Sequence, residues 1–147
     1  MGDDVVVATG GNSEIEGGAG SDVIIGGTGD NPLSGNTEND FLIGDLLLSN
    51  YFLGDDTLEG GPGDDLIEGG NGADTFDAST TTNSLNDFDN IDGAGGTDTV
   101  VAKVTGADAG VNLAPVMNNI EQVSITFTDT TANQGAADKL TVNLAES

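Results

Sequence analysis

Large apolar residues return at a nine-residue interval through the first half of the chain. They are Val6, Ile15, Ile24, Leu33 and Leu42 and, after a break, Leu58, Ile67 and Phe76. That interval is neither a helical period nor simple alternation, so it marks a repeated supersecondary unit. The residues between them are mostly glycine and aspartate, which supply turns. Each unit is therefore expected to be a turn over positions 1–6 and a short strand over positions 7–9. Strand alternation puts position 8 inward and positions 7 and 9 outward.

Residues 60–68 and 69–77 are adjacent copies of G-G-x-G-x-D-x-U-x, where U is large and apolar, and residues 17–25 fit as well. Residues 26–34 and 35–43 fit loosely. Running the register backwards places Gly2, Asp4 and Val6 at positions 4, 6 and 8 of a first copy. The pattern departs at Ser13 and Asn31, which replace the position-6 aspartate, and at a seven-residue excess between Gly44 and Gly54.

These nonapeptides resemble the RTX (repeat-in-toxin) family, whose repeats form a calcium-binding parallel β-roll. The resemblance implies an all-β, right-handed solenoid in which two repeats complete a coil and each turn stacks on the turn two repeats away. Calcium takes six to eight oxygens, and stacked turns offer carboxylates and backbone carbonyls. Sorted by parity, one edge of the roll stacks Asp4, Asp22, Asp40 and Asp65, an unbroken row of expected calcium ligands. The other stacks Ser13, Asn31, Asp56 and Asp74, with full aspartate pairing only at the last two. Asn31 is counted with the ligands. So are Asp98, in the register that 93–101 partly restores, and the turn glycines Gly17, Gly20, Gly60, Gly63, Gly69 and Gly72. Residues 1–78 are expected not to fold without calcium. Few inward side chains offset the ordering of a glycine-rich chain, and stacked carboxylates repel one another.

Parity also divides the outer faces. One sheet presents Val5, Val7, Val23, Ile25, Phe41, Ile43, Leu66 and Glu68; the other presents Glu14, Glu16, Pro32, Ser34, Thr57, Glu59, Thr75 and Asp77. The first is an apolar face that needs cover. Three candidates are the insertion at 45–53, which contains Leu46, Tyr51 and Phe52, the C-terminal half, and another copy of the chain.

The organisation expected is a β-roll over 1–78, a polar linker over 79–92 and a β-rich part over 93–147. In the last part Val100, Ala102 and Val104 alternate, and further strands are expected at 111–113, 120–127 and 140–144. The strings 96–100, 119–123 and 140–144 are similar to segments of RTX-bearing surface-layer and adhesin proteins, which implies that the solenoid continues in wider rungs. Residues 87–93 resemble an EF-hand loop, but Ile91 takes a ligand place; an extra calcium site there stays open.

Charge narrows the function. The 147 residues carry 26 acidic side chains against two lysines, a formal net charge of −24, with 21 of the acids in residues 1–98. Such a surface repels nucleic acid and anionic lipid. Without cysteine or histidine there are no zinc, thiol or imidazole chemistries and no disulfides. No run is long and apolar enough to span a membrane, no glycine-rich loop carries a phosphate-binding lysine, and the scarce aromatics build no cleft. The N-terminus lacks the pattern of a Sec-type signal peptide, which fits the type I secretion that the resemblance implies. The expectation is a non-enzymatic extracellular calcium-binding structural protein. It would self-associate end to end or through the apolar sheet, as a surface-layer, matrix or filament subunit. The alternatives are a calcium-triggered folding and secretion module and an adhesin domain.

Overall fold

The computed structural model describes residues 2–45, 54–79, 89–106, 111–113, 115–129 and 140–142, with no helix among them. Each apolar residue of the ninefold series seeds a strand: β1 (Val5–Val7), β2 (Ile15–Ala19), β3 (Val23–Gly27), β4 (Pro32–Thr37), β5 (Phe41–Asp45), β6 (Thr57–Glu59), β7 (Leu66–Gly72) and β8 (Thr75–Ala78). The chain continues with β9 (Asn90–Gly96), β10 (Thr99–Gly106), β11 (Val111–Leu113), β12 (Val116–Asn118), β13 (Gln122–Asp129) and β14 (Leu140–Val142).

Successive strands fall on opposite sheets, as a two-repeat coil demands. One sheet has the order β1-β3-β5-β7-β9-β12 and the other β13-β10-β8-β6-β4-β2, while β11 and β14 form a separate pair. All pairings are parallel. Val6 aligns with Ile24, Ile24 with Leu42 and Leu42 with Ile67 in the first sheet; Ile15 aligns with Leu33, Leu33 with Leu58 and Leu58 with Phe76 in the second. This is a parallel β-roll, and its core is the single file of position-8 side chains between the sheets. Ile24, Leu33, Leu42, Leu58, Ile67 and Phe76 are buried, and the file continues through Ile91, Val100, Ala102, Val104 and Met117.

The roll runs on past residue 78. Asn90–Asp92, the last residues of the expected linker, are strand: β9 pairs with β7 from Leu66↔Asn90 to Gly72↔Gly96. β10 pairs with β8, and β13 with β10. One inward residue per rung, here Ile91, is enough to hold a strand once two sheets exist to receive it. Equivalent positions lie 18 residues apart at Asp4 and Asp22 and at Asp56 and Asp74, and 24 apart at Asp65 and Asp89. β13 begins at Gln122 rather than residue 120, because Glu121 holds the place of a position-6 residue. β12 was not expected; Met117 enters the core from it. Residues 46–53 of the insertion and 80–88 of the linker, with Asp87 and Phe88 of the EF-hand-like string, lie outside the described residues.

Candidate functional site

The turns are joined by two ladders of carboxylates. In the first, the backbone N–H at position 6 donates to the position-6 side chain of the next turn: Asp4 to Asp22 Oδ1 at 2.8 Å, Asp22 to Asp40 Oδ1 at 2.8 Å, Asp40 to Asp65 Oδ1 at 2.9 Å and Asp65 to Asp89 Oδ1 at 3.1 Å. The second runs from Ser13 to Asn31 Oδ1 at 2.9 Å, Asn31 to Asp56 at 2.7 Å, Asp56 to Asp74 at 2.9 Å, Asp74 to Asp98 at 2.9 Å and Asp98 to Glu121 Oε2 at 2.8 Å. The structure thus stacks the expected metal residues in the two parity rows. It extends the first by Asp89, a residue of the EF-hand-like string 87–93, and the second by Glu121.

Each ladder hydrogen bond occupies only one carboxylate oxygen. The other, Oδ2, is buried and without a hydrogen-bond partner at Asp22, Asp40, Asp56, Asp65, Asp74 and Asp98. It lies over the α-carbon of the position-1 glycine of its own turn: a Cβ on Gly17, Gly35, Gly44, Gly60, Gly69 or Gly93 would collide with it. Position 1 must be glycine because the carboxylate fills the side-chain space. At Gly20, Gly63 and Gly72, position 4 is glycine for a different reason. A Cβ on Gly20, Gly63 or Gly72 would run into the backbone carbonyl of Gly2, Glu38 or Gly54 in the neighbouring turn. Backbone oxygens therefore face the next turn at the closest approach of the coil.

Burial without a counter-charge opposes ionisation. Asp65 and Asp74 are pushed up from 3.8 to about 7, and Asp40 and Asp56 to about 6. Desolvation is the largest cause; the ladder amides oppose it, and neighbouring carboxylates add to it. Asp98 is raised too, by desolvation first. Rows of buried carboxylate oxygens with nothing to neutralise them are what a hard divalent cation satisfies, and the nearby carbonyls supply further oxygens. No group of three or more acidic side chains already converges on one point among the described residues, so each cation would be held by carboxylate and carbonyl together.

Asn31 is the informative exception. Its Oδ1 accepts the Ser13 amide, while its Nδ2, beside Gly26, donates to the Gly29 carbonyl. The amide stands where an aspartate would leave Oδ2, and hydrogen-bonds the carbonyl internally. A second set of contacts was missed in the sequence. Position 5, an unspecified x in the motif, carries Asp3, Asp30, Asn39 and Asp55, whose Oδ1 atoms accept amides of the next turn from Ser21, Asp55, Asp64 and Ala73. This ladder is exposed and runs in the reverse direction. Its signal was present in the recurrence of Asp and Asn at that position.

Fold and site together define a cation-binding parallel β-solenoid. The family described as RTX calcium-binding nonapeptide repeat (4 copies) matches residues 1–31, 25–46 and 52–85, and the chain belongs to it. Its repeats bind calcium, several ions for several turns. No match is found among curated proteins or among solved structures.

Proposed function

We propose that this chain is an extracellular calcium-dependent structural protein that folds on calcium after type I secretion and then self-associates, without catalytic activity. The observation that carries it is the stack of buried, unpartnered Oδ2 atoms, which holds the roll open to calcium at each aspartate turn. Weak sites, with Kd on the order of 10⁻⁴–10⁻³ M as in extracellular modules, stay empty in a calcium-poor cytosol and fill outside. Self-association is supported by the apolar outer face of the first sheet, where Val5 is 73% exposed, Val7 51%, Leu66 44% and Val116 41%. No helix among the described residues is long and apolar enough to cross a membrane.

Sedimentation velocity in EGTA and then across a calcium titration tests this reading. Conversion of an expanded monomer into large species that EGTA dissolves is the expected result. A compact calcium-bound monomer would support the second reading, a folding and secretion module, which shares the same calcium chemistry. No calcium response would overturn both.

A further inference from the structure

Asp45 stands at position 2 of its repeat, where Gly18, Gly27, Gly61 and Gly70 stand in others. It is 1% exposed. Its Oδ2 accepts the Gly54 amide at 3.2 Å, which ties the two ends of the insertion together. That clamp leaves Oδ1 buried and without a hydrogen-bond partner.

Asp45 stands at the junction of two adjoining turns of the second row. The Asp45 Cβ lies against Gly70, so the side chain sits between its own turn and that of 69–74. Gly44, its neighbour in sequence, lies beneath both Asp56 Oδ2 and the Gly69 carbonyl oxygen. Asp74 Oδ2 lies over Gly69. Loop closure needs one oxygen of Asp45 and would be served as well by asparagine. A buried second oxygen that meets no donor is a cost unless a cation meets it.

We propose that Asp45 is an additional calcium ligand, outside the nonapeptide motif, at the junction of its own turn with the turn of 69–74. This rests on the calcium reading of the position-6 rows. The Gly69 carbonyl and other backbone oxygens complete the coordination, and the extra carboxylate raises affinity through ligand charge.

The test uses Asp45→Asn in the full chain, which keeps the acceptor for the Gly54 amide. Calcium binding is followed by calorimetry. The waters on bound europium are counted from its luminescence lifetimes. The expected result is a binding phase weakened by about tenfold and about one more water on its ion. Asp30→Asn, which removes a nearby exposed charge, leaves both unchanged. An Asp45→Asn chain with wild-type binding and hydration would overturn the proposal, as would an equal loss in Asp30→Asn. If the asparagine variant does not fold in calcium, Asp45→Gly, the residue found at position 2 elsewhere, is read the same way. A wild-type chain that binds no calcium overturns the underlying reading instead, so the two failures are distinguishable.

Discussion

Asp74 holds the Asp56 amide with Oδ1 while its Oδ2 meets no donor, whereas Asn31 satisfies both ends of its side chain within the protein. One atom, oxygen or NH₂, decides whether a turn needs a cation. Asn31→Asp should therefore bind an additional calcium ion per chain and make folding depend more steeply on calcium. Equilibrium dialysis checks this, and an unchanged stoichiometry would mean that the amide does not stand in for a cation. Asp40→Ala should raise the calcium midpoint of folding. Ser13→Ala should leave it nearly unchanged, since Ser13 contributes its backbone amide to the row and its hydroxyl only contacts Gly11. Backbone conformation gives a further prediction. Glu38 occupies position 4 with φ 76°, a region that disfavours side chains. Glu38→Gly should stabilise the calcium-bound roll by about 1 kcal/mol, whereas Gly61→Ala, at φ 102° and against the Asn36 carbonyl, should cost about 1–3 kcal/mol. Thermal melts in calcium compare them.

Within the strands and turns, the raised carboxylates make folding depend on pH. The four values near 6 and 7 lie above the ordinary 3.8, so the calcium-free roll binds these protons more tightly than the unfolded chain. Its stability is greatest at or below about pH 4 and is lost as pH rises through about 6 to 7, where the carboxylates ionise. Calcium competes with those protons, so the calcium midpoint should fall between about pH 5 and about pH 8. Circular dichroism titrations at the two limits check the sign; a midpoint that rises with pH would contradict the buried-carboxylate account. The rows, the alternation of sheets and the inward file could be read from sequence because each repeat restates them: Leu58, Ile67 and Phe76 agree on one register. β9 could not, because Ile91 is a single apolar residue among polar ones, and β12, three residues long behind Pro115, shows no alternation to mark it. Ala94 (φ 64°) and Asn119 (φ 51°) also take conformations whose usual glycine signal is absent. Asp45 was hidden for the opposite reason. It sits where the motif expects glycine, at the edge of an insertion, and only the stacking of turns brings it near Asp56 and Asp74.

Across the whole molecule, the stacking that aligns the aspartates also aligns the outward positions, so the rows and the apolar face come from the same register. Val5↔Val23↔Phe41↔Leu66 run in file along the first sheet, with Val7↔Ile25↔Ile43 beside them. Calcium should thus create both the fold and a continuous apolar strip, which ties assembly to the ion without any contact between the ion and a partner. Val5→Thr, Val7→Thr and Leu66→Thr together change outward side chains, leave the inward file and both rows intact, and keep β-branched or strand-compatible residues. The combined variant should fold at the wild-type calcium midpoint. Each substitution should remove about 1 kcal/mol or more of apolar contact between copies. The protein concentration at which large species appear should then rise by about two orders of magnitude in total. Circular dichroism reads the folding and sedimentation velocity the assembly. Assembly at the wild-type concentration would move the interface off this sheet, and a shifted calcium midpoint would show that the face contributes to the fold itself.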